Sequence, residues 1–371
     1  MGKANFRVAG LCALGLVIAT IVVSWSQDLP IRDPDGVVVP GYIQIPAILG
    51  IAWLLDVLPR AIARSRGARS DFRSHFRAIV AERWTRRHTV FALTGLATWY
   101  VCYATFRNLK SYVPFVNGTI YDSHLEKIDR AIWFGHDPAN VLHSMLGTHW
   151  AAELLSLVYI AWIGLVPVSI CVALVFTRRP AAGSWYVTAI SLCWGLGALG
   201  YFLLPTLGPA YSESGDFAGL HHTYTTDLVK SLAEDRQVVV PSNLPGGGVG
   251  GDPHSTHILQ TIAAFPSLHV GIMVTICLFL VLTRAPRWSQ NAAWSFLVLT
   301  WLATMYFGWH FFVDTLGGAV LGTAAVWLAA IATGNSVRGI PRLIERGTHE
   351  DADAALEPLG DQSSAEANRP A

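Results

Sequence analysis

The chain has 371 residues, of which 52% are hydrophobic and 14% are charged, and its mean hydropathy is +0.41. Soluble domains carry about 25% charged residues, so this composition excludes an ordinary soluble protein and predicts an integral membrane protein. The formal net charge is only +1, and the sequence contains no nucleic-acid-binding motif, which argues against a nucleic-acid partner.

Eight apolar runs approach or exceed the roughly 20 residues that a helix needs to cross about 30 Å of hydrocarbon. They lie at residues 8–25, 43–63, 89–106, 151–176, 185–204, 263–283, 294–309 and 312–332. The predicted fold is therefore all-α, a polytopic helical bundle of about eight membrane spans. A cleaved signal peptide is the alternative for the first run, but Trp25-Ser26-Gln27 lacks the small residues of a cleavage site.

Basic residues gather at one set of span ends. Lys3 and Arg7 precede the first span, an arginine-rich segment at 60–87 follows the second, and further arginines follow the fourth, sixth and eighth. Because Lys and Arg near span ends mark the cytoplasmic side, both termini are expected to be cytoplasmic. The sequence thus predicts a multi-pass protein of the plasma membrane.

Three regions are expected along the chain. Residues 1–88 form a two-span segment with an arginine-rich cytoplasmic loop, residues 89–334 form a six-span domain, and residues 335–371 form a polar tail. The tail is rich in Ala, Asp, Glu and Ser with few aromatic residues, so we expect it to be disordered. The five cysteines all fall in apolar runs, which favours small core residues over a disulfide or metal framework.

Two connections predicted on the extracytoplasmic side are long, at about residues 107–150 and 205–262. In the first, apolar residues recur near helical spacing from 121 to 133 with charged residues between them, which predicts an amphipathic helix on the membrane surface. Asp122 and Asp129 on this helix have two interpretations, contact with a headgroup alcohol or a solvated helix face.

Two histidines stand at the ends of long apolar runs, His269 at the end of the segment Phe265-Pro266-Ser267-Leu268-His269 and His310 just before the last span. The predicted topology places both near the extracytoplasmic face. Asp314 follows His310 by four residues, and on a continuing helix this spacing stacks the two side chains. The carboxylate then orients one imidazole nitrogen and leaves the other free to attack phosphorus. The alternative is a helix-end hydrogen bond that only fixes packing.

These motifs resemble the type 2 phosphatidic acid phosphatase superfamily, which carries a Pro-Ser-x-His segment and a later His-x-x-x-Asp segment. The resemblance covers the fifth to eighth spans. Within the superfamily it is closest to the branch of inositol phosphorylceramide synthases, an inositolphosphotransferase branch, through Leu204-Pro205-Thr206-Leu207-Gly208-Pro209 and Thr304-Met305-Tyr306.

The resemblance implies a six-helix phosphatase-like core and a reaction through a phosphohistidine. His310 is then the nucleophile, Asp314 orients it, and His269 protonates the leaving oxygen and later activates the acceptor. Ser267 and backbone donors at the start of the sixth span are candidates to hold phosphate oxygens. Helix capping is the alternative role for this serine. No cofactor and no metal is implied.

The chain departs from the family pattern in its cationic residues. The arginine usual six residues before the second histidine is replaced by Thr304, and the family's first motif, a lysine followed by Arg-Pro, is not evident. Arg107 and Lys110, at the outer end of the third span, are the candidate replacements for phosphate binding. Interfacial anchoring by snorkelling is the alternative for both residues.

Two smaller features accompany the histidine motifs. His254 and His257 lack a third ligand at zinc spacing, so no metal site is predicted. Gly317, Gly318 and Gly322 follow the last motif and predict close packing of the eighth span against a neighbouring helix.

The predicted function is an enzyme that moves a phosphorylated headgroup, such as phosphoinositol, between lipids or onto a lipid or glycan acceptor at the extracytoplasmic face. Hydrolysis of a lipid phosphate, of the phosphatidate or polyprenyl phosphate type, is the alternative. A second polar pocket beside the histidines, built by Asp122, Asp129 or Tyr211, distinguishes transfer from hydrolysis. A proton-coupled transporter and an inactive scaffold are further alternatives. The expected partners are the bilayer and a phospholipid or other lipid-phosphate substrate.

Overall fold

The computed structural model describes residues 5–33, 41–65, 72–177, 179–255 and 264–335. Within these residues the chain forms thirteen α-helices and a short 3-10 turn at Ser214–Phe217, with no β-strand. The helices are α1 (Arg7–Ser26), α2 (Gly41–Ser65), α3 (Phe72–Arg83), α4 (Arg86–Val116), α5 (Asp122–Ile132), α6 (Pro138–Leu146), α7 (Trp150–Val175), α8 (Pro180–Leu203), α9 (Pro209–Ser212), α10 (Tyr224–Val239), α11 (Leu268–Leu282), α12 (Arg287–Tyr306) and α13 (Phe312–Ala332). The predicted all-helical fold is confirmed.

Every predicted span overlaps one of these helices. Six of them, α1, α2, α4, α7, α8 and α13, are long and apolar enough to cross a membrane. Helix α11 is apolar but has only 15 residues, and so reaches about 22 Å. Helix α12 has 20 residues and begins with the polar run Arg287-Trp288-Ser289-Gln290-Asn291. The chain is a polytopic membrane helical bundle.

Helix α8 lies at the centre of the bundle and packs against α1, α4, α7, α11 and α13. Most of its side chains are buried, and the indole nitrogen of Trp185 donates to the Val326 carbonyl of α13 at 2.9 Å. Helix α1 covers α4 and α8, while its outer face exposes Leu11, Ile18 and Trp25. An apolar outer face of this kind is what contact with lipid requires.

The predicted close packing of the eighth span is present between α13 and α11. A Cβ atom added to Gly322 would lie 2.1 Å from the Gly271 carbonyl oxygen, and one added to Gly318 would lie 2.1 Å from the Ser267 oxygen. The hydroxyl of Thr275 donates across this contact to the Gly322 carbonyl at 3.2 Å. The two backbones therefore touch, and the start of α11 is brought beside the start of α13.

The helix predicted at 121–133 is present as α5, but its polar side is not solvated. Asp122 and Asp129 are only 4% and 2% exposed, whereas Ile128 and Ile132 are exposed. Helix α5 packs against α13 and α9, and the two aspartates face into that contact. The solvated-face interpretation is therefore wrong, because these carboxylates bind backbone donors instead of water.

Only the first residue of the predicted tail falls within the described residues. Asn335 is 8% exposed, and its amide donates to the Ala181 carbonyl at 3.2 Å. The rest of the tail, 336–371, lies outside the described residues.

The α11–α13 contact leads to a prediction about Gly322→Ala. We expect this substitution to destabilise the protein by about 1–3 kcal/mol, because the new methyl group forces the two backbones apart. Gly164→Ala in α7 is the matched control, since nothing lies within 4 Å of its added Cβ. Thermal unfolding in detergent measures both variants. Equal unfolding temperatures would show that the close contact is not needed.

Candidate functional site

The two histidines that the sequence expects to meet are in direct contact. Nδ1 of His269, in the first turn of α11, lies 3.0 Å from Nε2 of His310, in the turn between α12 and α13. His310 is 5% exposed, and His269 is partly exposed. The two imidazoles thus form one pair in which His269 is the more exposed partner.

Asp314 lies on the other side of His310. Its Oδ2 atom is 3.5 Å from Nδ1 of His310 and also accepts the backbone N–H of Phe311 at 2.9 Å. The expectation of a continuing helix through His310 is wrong, because α13 begins at Phe312 and the pair straddles the helix start. The carboxylate, fully buried, serves both as a helix cap and as the neighbour of the imidazole.

Nδ1 of His310 lies 3.5 Å from the Asp314 carboxylate without a hydrogen bond of good geometry. If this nitrogen carries the ring proton beside the carboxylate, the Nε2 atom of His310 has a free lone pair. His269 then donates its Nδ1–H to that atom across the 3.0 Å contact. The arrangement places a basic nitrogen and a proton donor next to each other, which is the combination that a displacement at phosphorus uses.

Aromatic side chains enclose the His269 side of the pair. The Trp162 ring lies 4.2 Å from the His269 ring, and the Tyr159 ring lies 5.2 Å from it. Trp309 stacks on Tyr159 at 5.3 Å with an interplanar angle of 8°. These rings limit the motion of His269 and keep the pair in an apolar setting, where electrostatic interactions are stronger than in water.

Thr304, at the position of the expected family arginine, contributes backbone contacts to the site. Its carbonyl accepts from the N–H groups of Trp309 at 2.9 Å and His310 at 3.3 Å. Its hydroxyl, fully buried, donates to the Trp301 carbonyl at 2.9 Å. The residue therefore shapes the turn that carries His310 and provides no positive charge.

Positive charge reaches the pair from α4. This helix continues to Val116, ten residues beyond the predicted span, so Arg107 and Lys110 lie on the helix and not in a connection. The charge of Lys110 acts on both histidines.

Arg107 lies close enough for its charge to act on Lys110, and its Nη1 donates to the Tyr103 hydroxyl at 2.8 Å. The Lys110 ammonium sits 5.4 Å from the Tyr201 ring. Both predicted phosphate-binding cations are thus on the helix that faces the histidines.

The remaining predicted residues make structural contacts. Ser267 is fully buried and caps α11, with its hydroxyl accepting from the Val270 N–H at 3.4 Å, which is the capping alternative. Tyr211 donates to the Val229 carbonyl at 3.2 Å and lies 6.3 Å, ring to ring, from Trp309.

Asp122 lies beneath the loop that follows α8. Its carboxylate accepts the N–H groups of Leu207 at 2.8 Å and Gly208 at 2.7 Å. Burial raises its pKa, and these two backbone donors oppose the rise. The contacts give this carboxylate a structural partner on each oxygen.

The loop held by Asp122 contacts both histidine segments. The Thr206 hydroxyl accepts from the Phe265 N–H at 2.8 Å, just before the start of α11. On the other side, the Ala210 N–H donates to the Gly308 carbonyl at 2.9 Å, just before His310. A single loop therefore spaces the two histidines.

Asp129 holds the start of α13 directly. Its carboxylate accepts the N–H groups of Phe312 at 2.5 Å and Val313 at 2.9 Å, which are free donors at a helix N-terminus. Burial raises the pKa of Asp129 to about 6, although the two backbone hydrogen bonds lower it. Sequence reasoning missed this role. Asp129 follows Asp122 by seven residues, about two helical turns, so the two side chains lie on the same face of the helix. This spacing is the sequence signal that the two aspartates share a role.

No group of three or more His, Cys, Asp or Glu side chains with metal-binding geometry occurs in the part of the chain that the structure describes. His254 lies 3.6 Å from Asp28, and His257 is outside the described residues.

The family model described as the PAP2 superfamily matches residues 123–328, which is more than half of the chain and includes both histidines and Asp314. No curated protein and no solved structure matches the chain.

Asp129→Asn should weaken the hydrogen bonds that fix the start of α13 to α5. An amide offers one acceptor in place of two, so we expect a loss of about 1–3 kcal/mol in unfolding free energy. We also expect about tenfold lower kcat with little change in KM, because His310 is displaced. Lys127→Gln, exposed on the same helix, is the control. A stable variant with full turnover would show that the carboxylate does not position the histidine.

The environment of Glu213 leads us to expect that the stability of the folded protein depends on pH. Burial, with Glu126 and Asp137 nearby, raises its pKa from 4.5 to about 7. Because the folded state binds this proton more tightly, the stabilisation is complete below about pH 4.5 and is lost as pH rises through 7. Glu213→Gln should therefore raise the unfolding temperature at pH 8 by a few degrees and have little effect at pH 5. Glu234→Gln, exposed on α10, is the control, and parallel pH curves for all three proteins would contradict the assignment.

Proposed function

The chain belongs to the PAP2 superfamily, and on that premise we propose that it is a membrane phosphotransferase acting on a phosphorylated lipid headgroup. Superfamily membership supports a lipid phosphatase or phosphotransferase activity. The contact between His269 and His310, with Asp314 behind His310, is the observation that carries the proposal. The donor is a phospholipid whose headgroup, such as phosphoinositol, passes to a lipid or glycan acceptor at the extracytoplasmic face of the plasma membrane.

In the first half-reaction the phosphoryl group takes the place of the contact between the two rings. Nε2 of His310 attacks phosphorus, a P–N bond forms, and the P–O bond to the leaving alcohol breaks. His269 gives its Nδ1 proton to the leaving oxygen, which departs as a neutral alcohol. Asp314 stabilises the positive charge that develops on the His310 ring.

In the second half-reaction the roles reverse. His269, now without its proton, accepts the proton of the acceptor hydroxyl. The acceptor oxygen attacks phosphorus, and the P–N bond to His310 breaks. Both histidines return to their starting states. The phosphorylated group has moved from donor to acceptor, and the proton of the acceptor hydroxyl has replaced the one that His269 gave to the leaving alcohol.

Lys110 and Arg107 are proposed to balance the phosphate charge. Their approach from α4 supports this role, and the free N–H groups at the start of α11 add donors near His269. Neither Ser267 nor Asp122 is needed as a direct ligand in this arrangement.

The charge of the site favours a phosphodiester donor over a phosphomonoester. A monoester carries about 1.5 to 2 negative charges at neutral pH, whereas a diester carries one. Thr304 provides no positive charge beside the turn that carries His310. With Thr304 in place of the expected arginine, the site has fewer cations than the family pattern, and a diester headgroup needs less charge compensation in this buried place than a monoester.

Hydrolysis is the second candidate, and the partial exposure of His269 favours it because water can reach the ring that activates the acceptor. A phosphatase of the phosphatidate or polyprenyl phosphate type would use the same first half-reaction and water in the second.

His310→Ala and His269→Ala should distinguish these candidates. Purified proteins are incubated with headgroup-labelled phosphatidylinositol or with labelled phosphatidic acid, with and without membrane lipid acceptors. We expect wild type to form labelled acceptor lipid from phosphatidylinositol. We expect both variants to lose it by at least about a thousandfold, because the nucleophile or its proton donor is missing.

His136→Ala, exposed and away from the pair, is the control. Release of inorganic phosphate from phosphatidic acid, dependent on His310 and independent of acceptor, would favour the phosphatase. Equal turnover in wild type and His310→Ala would exclude the phosphohistidine route.

A further inference from the structure

Helix α3 is fixed to α2 by a buried carboxylate at the end of the bundle that is predicted to be cytoplasmic. Asp56 of α2 is fully buried, its Oδ2 atom accepts from Nε of Arg83 at 2.7 Å, and its Oδ1 atom accepts from Nη1 of Arg60. The Phe76 ring packs edge-on against the Trp53 ring at 6.0 Å. A buried carboxylate is stable only when it is paired, so these contacts set which side of α3 faces α2.

This orientation leaves a row of arginines exposed on α3 and at the start of α4. Ile79 is 4% exposed, whereas Arg73 and Arg77, one helical turn apart, are exposed. Arg86 and Arg87, in the first turn of α4, are exposed as well. None of these four arginines, which we call the basic face, forms an ion pair with a residue that the structure describes.

The helices themselves do not account for the basic face. The free N–H groups at a helix N-terminus favour acidic residues, yet the first turn of α4 contains two arginines and no acidic residue. On α3, Arg73 and Arg77 are like charges four residues apart, which repel each other. The acidic residue of α3, Glu82, is bound to Arg64 at 2.8 Å instead. An external anionic surface would compensate the charge of the basic face.

The basic face lies at the edge of the predicted membrane layer. Arg87 comes two residues before the predicted third span at 89–106, and α3 packs against the last turns of α2. Phe72, at the start of α3, is 39% exposed beside the basic face. An exposed aromatic ring next to arginines is the pattern of a helix that lies in the interface between headgroups and acyl chains.

We propose that the basic face binds the phosphate groups of anionic phospholipids in the leaflet on the predicted cytoplasmic side. Guanidinium groups bind phosphate oxygens through paired N–H donors, and the negative surface potential of such a leaflet attracts arginines next to membrane spans. Phe72 enters the apolar layer below the headgroups. The site is separate from the histidine pair, because Lys110 lies about 36 Å beyond Arg86 along α4. The inference therefore does not depend on the proposed function.

The lipid selectivity of the reconstituted full-length protein tests this inference. The protein is placed in phosphatidylcholine vesicles that contain a trace of spin-labelled phosphatidylglycerol or spin-labelled phosphatidylcholine. Electron paramagnetic resonance measures the fraction of each label that is immobilised at the protein surface. We expect wild type to favour phosphatidylglycerol by at least about twofold, and this preference to shrink in about 1 M salt, because salt screens exposed charges.

Arg73→Gln combined with Arg77→Gln removes two charges from the basic face. We expect this arginine variant to lose at least about half of the preference for phosphatidylglycerol. Lys127→Gln combined with Lys230→Gln is the matched control, because it removes the same charge from exposed positions on α5 and α10, on the predicted extracytoplasmic side. The control should keep the wild-type preference. Thermal unfolding in neutral detergent should be equal in the three proteins, since all four exchanged side chains are exposed.

Two results would overturn the inference, namely no preference of wild type for phosphatidylglycerol, or equal preferences in wild type and the arginine variant. Equal losses in both double variants would also overturn it, since they would reflect net charge alone. Poly-L-glutamate, titrated into the protein in neutral detergent, tests the other occupant. If it binds wild type and not the arginine variant while the lipid preference is absent, the basic face docks an acidic protein and the lipid assignment fails.

Discussion

Two buried carboxylates on one short helix hold the loops on which the site depends. Asp122 and Asp129 lie about two turns apart on α5, and each binds a pair of backbone N–H groups from a distant part of the chain. A buried carboxylate is costly unless it is fully hydrogen-bonded, and each of these offers its acceptors to donors that would otherwise lack partners. These hydrogen bonds fix the loop after α8 and the start of α13 to the same helix, α5.

Helix packing adds further constraints on the positions of the two histidines. The glycine contact between α11 and α13 brings the Ser267 N–H to the Asp314 carbonyl at 2.9 Å, and the loop held by Asp122 sets the segment just before His269. His310 is held from three sides, by the Thr304 carbonyl, by Asp314 and by His269. A pair of histidines on separate helices therefore keeps a contact of hydrogen-bond length, because every neighbouring segment is tied to the others.

The sequence predicted the parts of this architecture that local patterns encode. Apolar runs located eight helices, one in each predicted span, and small-residue spacing predicted the α13 contact. Prediction from the sequence failed where the hydrogen-bond partner of a residue lies far away in the chain. Asp129 accepts the N–H of Phe312, which lies more than 180 residues later in the chain. The local pattern of charged residues in α5 does not encode that partner, and it therefore predicted an exposed polar face. The extension of α4 was missed because Arg107 and Lys110 interrupt the apolar run, although the charge of Lys110 acts on both histidines.

Aromatic contacts join the loop after α8 to the histidine pair. Binding energy gained away from the reacting atoms can be used to position them, provided that a rigid path joins the two places. Here the path runs from Tyr211 to Trp309 and on to Tyr159 and His269, through ring contacts of 5.2 to 6.3 Å. A substrate group that binds against Tyr211 or Trp309 would therefore act on the rings that confine His269. A substrate without that group would lose turnover as well as affinity, because the proton donor and nucleophile would be less firmly aligned.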